Sequence, residues 1–274
     1  MSLAICITTF NRKRLVEANA RSLQKAKLTK ATKIIVLDDA SSEFDVAWLK
    51  AIYPQSASIF RREATTGDAS LAAFDAMSRL VATGADVLLL LDSDFIVNPN
   101  FLKPALQQLT KSEGLLSLFN TPTHPTLREE GSLLIKPSVG AAATLWTREC
   151  ALDVLKNVAR GKYWDWRFSS YFENNSKNIY CVKTSLAQHL GLFEGQHLMT
   201  GGGDIGIGFD ASGSFDEYLL FLEQAVLGQQ SALQRLENRI HQIENRFINR
   251  NLFGLKRLLS KKLKNCRIFF SATK

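Results

Sequence analysis

The sequence lacks the features of several protein classes. Of its 274 residues only 6 are proline and 4 are cysteine, and no two cysteines have CxxC spacing. The longest aliphatic run near the middle, Val87 to Leu91, is far shorter than the ~20 apolar residues of a membrane-spanning helix. The first residues place their charges after the apolar stretch, so we expect no secretion signal. These absences favour a globular protein with reduced thiols over a membrane-spanning or disulfide-stapled one.

The net charge of +8 is unevenly distributed. Nine basic residues and no acidic residue lie between Arg246 and Lys274, whereas the rest of the chain carries 25 basic and 26 acidic residues. A nucleic-acid-binding domain would carry its basic residues on the fold itself. We therefore expect no nucleic-acid partner, and instead a tail that contacts an anionic surface.

Short apolar runs alternate with segments of helical periodicity in the first 119 residues. The predicted strands cover 3–9, 33–37, 57–61, 86–91 and 115–119, and the predicted helices cover 12–27, 68–83 and 99–111. Asn98 and Pro99 are predicted to begin the last helix as its N-cap and first residue. This alternation, with nearly all-apolar strands, indicates an α/β fold with a mostly parallel sheet and flanking helices.

The region after residue 130 is less regular. Strands are predicted at 133–136 and 179–183, helices at 147–159 and 164–174, and a glycine-rich stretch spans Gly201 to Gly213. Such a stretch is typical of a loop or linker, or of a lid that orders when a ligand binds.

Apolar residues, with one glutamine among them, are spaced alternately by four and three positions from residue 215 onwards. The series is Phe215, Leu219, Leu222, Val226, Gln229, Leu233, Leu236, Ile240, Ile243 and Phe247. The spacing is typical of a coiled-coil seam and predicts a homo-oligomer, although one long helix packed on its own chain would show it too. After the seam, leucines and lysines alternate with helical spacing, which favours a helix lying in an anionic membrane surface over a solvated basic tail or an RNA contact.

Acidic residues directly follow two predicted strands. Asp38 ends the second strand, and Asp92, Ser93 and Asp94 follow the fourth. Two carboxylates at the edge of an apolar sheet repel each other unless a cation or a proton lies between them. Mn²⁺ or Mg²⁺ held by one or two carboxylates would relieve the repulsion and leave coordination positions for substrate phosphates.

Taken together, these motifs resemble those of the nucleotide-sugar glycosyltransferases with the GT-A fold, in particular the family-2-like bacterial group. The matching motifs are ITTFNR (7–12), VLDDAS (36–41), LLDSDF (90–95), WDWRFSSYF (164–172) and AQHLG (187–191). The resemblance extends from Leu3 to about Gly191 and implies a GT-A (Rossmann-like) fold. We expect a catalytic domain at 1–213, a coiled-coil helix at 214–248 and a membrane-associating tail at 249–274.

The resemblance implies roles for residues around the nucleotide. Thr8, Thr9 and Phe10 would line the nucleobase pocket, and Asp38 would accept a hydrogen bond from the base. Asp68 would contact the base or ribose, or would act only as a helix N-cap, which is the more ordinary role. The basic residues that could bind the diphosphate are Arg12, Arg14, Arg61 and Arg62.

The resemblance also implies a metal site. Asp94 would bind Mn²⁺ or Mg²⁺ directly, His189 would supply a further ligand from a later loop, and Asp92 would contact the ribose or the metal through water. Ser93, between the two aspartates, belongs to the same cofactor-binding motif.

Asp165 is the predicted general base. It would take the proton of the acceptor hydroxyl in an inverting reaction, or would only orient the acceptor if the reaction retains configuration. The family usually has two adjacent acids at this place, whereas this chain has one, flanked by Trp164 and Trp166. The two indole rings would form a platform for an acceptor sugar, or would pack in the core.

The leading interpretation is a metal-dependent hexosyl- or N-acetylhexosaminyltransferase. It would move a sugar from a UDP-sugar to a hydroxyl of a glycan or lipid-linked glycan, at the cytoplasmic face of a bacterial cell membrane. A sugar-phosphate nucleotidyltransferase would share the sheet and the metal, but ITTFNRKR lacks that class's glycine-rich loop. A non-catalytic membrane scaffold is the third alternative, which the joint presence of Asp92, Asp94, Asp165 and His189 disfavours.

Overall fold

The computed structural model of the chain consists of two compact units, Met1–Ala225 and Val226–Lys274. It describes residues 1–191, 205–214, 216–223, 225–226 and 237–238. Most of the predicted coiled-coil seam and the whole of the basic tail therefore lie outside the described residues. Within the described part of the chain, no helix has the length and hydropathy needed to cross a bilayer.

A mixed α/β architecture confirms the predicted fold class. The helices are α1 (Lys13–Lys25), α2 (Val46–Ile52), α3 (Ala69–Ala82), α4 (Leu102–Leu109), α5 (Arg148–Asn157) and α6 (Trp164–Asn174). The strands are β1 (Leu3–Thr9), β2 (Lys33–Asp38), β3 (Ser58–Arg61), β4 (Val87–Asp92), β5 (Phe95–Val97), β6 (Leu115–Ser117), β7 (Arg128–Glu130), β8 (Leu133–Lys136), β9 (Thr144–Thr147), β10 (Ile179–Val182) and β11 (Ala187–His189).

The main sheet contains nine strands in the order β3-β2-β1-β4-β9-β6-β10-β8-β7. The pairs β1–β2, β2–β3, β1–β4 and β6–β10 are parallel, whereas β9 pairs antiparallel with β4 and with β6. Because β1, β2 and β4 run in the same direction, the polar residues that follow them meet at one edge of the sheet. We call it the carboxyl edge.

Helices cover the sheet on both faces. On one face, α1, α2 and α4 pack against Ile5, Ile7, Val36 and Leu89. On the other, α3, α5 and α6 pack against Cys6, Leu37 and Leu88. Burial on both faces explains why these strands are apolar at nearly every position rather than at alternate ones.

The helix predicted at 99–111 begins later than expected. Asn98 is not its N-cap and Pro99 is not its first residue, because α4 begins at Leu102. The Oδ1 atom of Asn98 accepts a hydrogen bond from the N–H of Asn100, and its carbonyl accepts one from Phe101. Asn98 therefore closes a turn that precedes the helix, which is the other common role of this residue type.

The described part of the glycine-rich stretch is bound to the body rather than open. Gly206 donates a hydrogen bond from its N–H to Oε1 of Gln188, and Ile207 donates one to the carbonyl of Asn120. A Cβ atom at position 206 would lie 2.9 Å from Gln188 Oε1, so this close approach requires glycine. Residues 205–214 contain no helix or strand, which confirms the predicted loop for this part of the stretch. Residues 201–204 lie outside the described residues, and the lid alternative stays a prediction.

A helical segment at 216–223 packs against α1. Phe221 is buried with Leu15 and Ala18, and the buried carboxylate of Glu217 pairs with Lys25 at 2.9 Å and with Arg21 at 3.3 Å. The seam residues Leu219 and Leu222 remain 45% and 42% exposed. The segment therefore contacts the body through one face and leaves its seam face uncovered.

Candidate active site

Strand register places the predicted acidic residues side by side at the carboxyl edge. Thr9 of β1 stands opposite Asp38 of β2, and Thr8 stands opposite Asp92 of β4. The Thr8 hydroxyl donates a hydrogen bond to Asp92. Burial, together with the negative charge of the neighbouring Asp94, raises the pKa of Asp92 to about 6. The expected repulsion between the two carboxylates is thus present in the folded protein.

Asp94 and His189 are brought together by a short antiparallel strand pair. His189 of β11 stands opposite Phe95 of β5, and the N–H of Leu190 donates to the Asp94 carbonyl at 2.7 Å. The turn before β5 is held by Ser93, whose N–H donates to the Thr8 carbonyl. As a result, His189 Nε2 lies 3.0 Å from Asp94 Oδ2.

The Asp94 carboxylate is buried and ionised. Burial alone would raise its pKa, but the adjacent His189 and Arg12 hold the pKa well below its ordinary value. Arg12 Nη1 lies 2.6 Å from Asp94 Oδ2. The other oxygen, Oδ1, is buried and accepts no hydrogen bond from any described residue. Oδ1 is thus an anionic acceptor that none of the described residues uses.

Gly191, the last residue of the AQHLG motif, lies against the same site, although the sequence analysis assigned it no role. A Cβ atom there would lie 2.6 Å from Asp94 Oδ2, 2.9 Å from Arg12 Nη1 and 3.2 Å from His189 Nε2. Only a residue without a side chain leaves this space open.

These groups fit a hard divalent cation. Asp94 offers a carboxylate oxygen without a partner, and His189 offers an imidazole beside it. No group of three or more candidate ligand side chains occurs among the described residues. Mn²⁺ and Mg²⁺ commonly bind through one or two protein groups together with substrate phosphates, so two protein ligands suffice.

The residues expected around the nucleobase lie next to this site. Thr9 Oγ1 is buried and has no hydrogen-bond partner among the described residues, so it is available to hydrogen-bond with a ligand. Asp38 is already engaged, because Ser41 Oγ donates to it at 2.5 Å and Arg61 Nη1 lies 3.0 Å away. The Oδ2 atom of Asp38 is buried and accepts no hydrogen bond from any described residue, so it could still accept one from a base. Phe10, the next residue of the motif, is half-buried.

Asp68 is the N-cap of α3. Its side chain accepts hydrogen bonds from the backbone N–H groups of Ser70 and Leu71. This is the ordinary structural role that the sequence left open, and it leaves one side-chain oxygen for another contact.

Asp165 lies in the first turn of α6. Partial burial raises its pKa, while backbone N–H groups of α6 and the charge of His124 oppose this effect and Asp68 adds to it. His124 and Asp68 are therefore close enough to influence the carboxylate. His124 has no signal in the sequence, because it lies in the irregular segment between β6 and β7.

The two tryptophans beside Asp165 point in different directions. Trp164 is fully buried and packs against Phe74, Trp146 and Phe168, so its ring is unavailable to an acceptor sugar. Trp166 is 60% exposed and lines a cavity of about 430 Å³ on the outer side of α5 and α6. Of the predicted acceptor platform, only Trp166 can therefore contact a ligand.

Three of the four candidate diphosphate arginines have other partners. Arg61 pairs with Asp38, Arg62 pairs with Asp39 and Asp75, and Arg14 pairs with Glu223 at the surface. Arg12 alone of the four lies at the candidate metal site.

Comparisons with known proteins agree with this fold. A family model described as Glycosyl transferase family 2 matches residues 4–147. No curated protein matches the chain.

Solved structures show the same architecture. S. aureus TarS (residues 1–349) in complex with UDP is 14% identical, with a TM-score of 0.50 over 68% of this chain and 60% of that one. The longer TarS structure is 15% identical, with a TM-score of 0.50 over 68% of this chain and 36% of that one. The mannosyltransferase PcManGT from Pyrobaculum calidifontis, in complex with GDP-Man and Mn²⁺, is 14% identical, with a TM-score of 0.50 over 67% of this chain and 54% of that one. The chain therefore spans less than two thirds of each of these structures.

Proposed function

Because the chain belongs to glycosyl transferase family 2, we propose that it transfers a hexosyl or N-acetylhexosaminyl group from a UDP-sugar to a hydroxyl of a glycan acceptor. The observation that carries the proposal is the contact between buried Asp94 and half-buried His189 at the carboxyl edge, with Asp94 Oδ1 lacking a hydrogen-bond partner among the described residues. Solved structures with this fold contain UDP, UDP-GlcNAc or GDP-Man, which supports a nucleotide-sugar donor.

Asp94 and His189 would hold Mn²⁺ or Mg²⁺, which when bound would supply positive charge beside the diphosphate leaving group. Thr8, Thr9 and Phe10 would contact the nucleoside, with Thr9 Oγ1 as an unused polar group. Asp92, bonded to Thr8, would face the ribose.

Asp165 would act as the general base of an inverting displacement. Its carboxylate takes the proton from the acceptor hydroxyl while that oxygen forms a bond to the anomeric carbon. The bond from the anomeric carbon to the diphosphate breaks at the same time, and UDP leaves with the electron pair. The position of Asp165 in the first turn of α6, close to Asp68 at the N-terminus of α3, supports this role.

Trp166 and the cavity that it lines would bind the acceptor glycan. Aromatic faces and planar polar groups are the usual contacts of sugar rings in proteins, and Tyr163, Arg167 and Asn174 line the same cavity. The predicted basic tail would keep the enzyme at the inner face of a bacterial cell membrane, near a lipid-linked acceptor.

Transfer activity tests the proposal directly. The protein is incubated with UDP-sugars and GDP-mannose, with Mn²⁺ and an acceptor mixture, and release of the nucleoside diphosphate is measured. The proposal expects release from at least one UDP-sugar, and its loss in Asp94→Ala but not in Asp86→Ala, a control at the opposite end of β4. Absence of binding and turnover with every donor would support a scaffold instead.

We propose further that the seam of residues 215–247 joins copies of this chain. The exposure of Leu219 and Leu222, on a segment whose other face packs on α1, supports a partner for the seam face. A Leu219→Lys/Leu222→Lys variant should have a lower mass in light scattering, whereas Asp216→Lys should not change it. An unchanged mass in the leucine variant would contradict self-association through this seam.

A further inference from the structure

The Asp94 carboxylate binds two cationic or donor groups through a single oxygen. Both Arg12 Nη1, at 2.6 Å, and His189 Nε2, at 3.0 Å, contact Oδ2. The other oxygen is buried without a hydrogen-bond partner among the described residues. One positive side chain therefore already neutralises the carboxylate that the proposed metal ion would bind.

Arg12 reaches this position from a fixed backbone. Asn11 and Arg12 have positive φ angles of 52° and 57°, a region that few residues other than glycine adopt. The Arg12 carbonyl accepts hydrogen bonds from Leu15 and Val16 at the start of α1, and the Asn11 N–H donates to Ser41 Oγ at 2.8 Å. Because these contacts hold the main chain, any movement of Arg12 takes place in its side chain.

The side chain of Arg12 is partly exposed and is held by one ion pair. Arg12 caps α1 only through its backbone and makes no side-chain capping bond, and its side chain is 27% exposed. The only ion pair of Arg12 among the described residues is the one with Asp94. Release from Asp94 therefore breaks one ion pair.

The Arg12 guanidinium on Oδ2 and a divalent cation on Oδ1 of the same carboxylate would lie a few ångströms apart. Two positive charges at that distance in a partly buried site repel each other strongly. Once separated from Asp94, the positive charge of Arg12 would need a new anionic partner. The diphosphate of a nucleotide bound at the same edge provides one, and guanidinium groups bind phosphate oxygens well.

We propose that Arg12 is an exchangeable counter-cation of Asp94. Without a metal, the Arg12 guanidinium neutralises the Asp94 carboxylate. When a divalent metal and a nucleoside diphosphate bind, the guanidinium leaves Asp94 and pairs with the diphosphate. This inference rests on the proposed donor site. It assigns the diphosphate contact to Arg12 rather than to Arg14, Arg61 or Arg62, each of which keeps a carboxylate partner elsewhere.

Mn²⁺ binding without turnover tests the exchange. Free Mn²⁺ is followed by electron paramagnetic resonance in titrations of the wild type, Arg12→Gln, Arg12→Lys and the control Arg14→Gln, without nucleotide. Arg12→Gln should bind Mn²⁺ about tenfold more tightly than the wild type, because the competing charge is gone. Arg12→Lys, which keeps a cation, and Arg14→Gln should remain close to the wild type.

The same variants are then titrated with UDP at saturating Mn²⁺. Arg12→Gln should bind UDP about tenfold more weakly than the wild type, because the diphosphate loses its guanidinium partner. Melting temperatures establish that each variant is folded, and Arg12→Met, which also removes the charge, replaces Arg12→Gln in both titrations if the latter does not fold.

The outcomes separate this inference from the proposed function. If Arg12→Gln binds Mn²⁺ no more tightly than the wild type while Mn²⁺ and UDP still bind, the exchange is wrong and the metal-dependent donor site stands. If neither the wild type nor any variant binds Mn²⁺, with or without UDP, both proposals are wrong.

Discussion

His189 Nε2 and Asp94 Oδ2 lie 3.0 Å apart although 95 residues separate them in the chain. The antiparallel pairing of β11 with β5 produces this contact, because it places His189 opposite Phe95, the residue after Asp94. The ring of Phe95 also packs against the imidazole, with centroids 4.9 Å apart. The imidazole is thus held in place by a backbone register and by an aromatic neighbour.

Replacement of His189 by alanine should weaken Mn²⁺ binding by about tenfold or more, because a metal ligand and the group that orients Asp94 are both lost. Isothermal titration with Mn²⁺ and UDP measures the change. His124→Ala is the matched control, since His124 acts near Asp165 and should leave metal affinity unchanged. Equal metal affinity in His189→Ala and the wild type would show that His189 is not a ligand.

Gly191→Ala should damage the same site without any change of charge. The added methyl group would lie 2.6 Å from Asp94 Oδ2, so the carboxylate, Arg12 or His189 must move. Gly140→Ala is the control, because a Cβ atom there meets nothing within 4 Å. We expect a fall of about tenfold in Mn²⁺ affinity for Gly191→Ala alone, measured by titration. Unaltered affinity would mean that the space at residue 191 is not needed for metal binding.

The tryptophans on either side of Asp165 should have opposite mutational effects. Trp164→Ala removes a fully buried ring and should lower the free energy of unfolding by about 3–5 kcal/mol, as measured by urea denaturation. Trp166→Ala should leave stability within about 0.5 kcal/mol of the wild type and raise the KM for the acceptor. A normal KM for the acceptor in Trp166→Ala would show that the cavity is not part of the acceptor site.

Asp165→Asn should lower the rate of sugar transfer by about 100-fold or more while donor binding stays intact. Asp153→Asn, on the neighbouring helix α5, is the control for loss of a carboxylate. Burial raises the pKa of Asp165, and a base must be ionised to accept a proton. The rate should therefore fall as the pH is lowered through a pKa above the ordinary value of about 3.9. Normal transfer by the asparagine variant would contradict the base assignment.

The sequence predicts the parts of this site that depend on parallel strands. Apolar runs define β1, β2 and β4, and the carboxyl ends of parallel strands meet, so Thr8, Asp38 and Asp92 are expected at one edge. The sequence also predicts longer helices such as α3 and α6, because their apolar periodicity extends over several turns.

The features of the site that the sequence does not predict depend on contacts without a periodic pattern in the sequence. Strands β5 and β11 contain three residues each, too few for an alternating pattern, and the need for glycine at position 191 comes from side chains distant in sequence. Trp164 and Trp166 are two positions apart on a helix and therefore face different directions. Which of them is buried is decided by the packing of α6 on the sheet.

The most direct measurement is calorimetric titration of UDP into the wild type, Asp94→Ala and Asp86→Ala, each with and without Mn²⁺. We predict Mn²⁺-dependent binding of UDP to the wild type and to Asp86→Ala, and its loss in Asp94→Ala. Binding of UDP to Asp94→Ala with the same affinity and the same dependence on Mn²⁺ as the wild type would contradict a metal and donor site at Asp94.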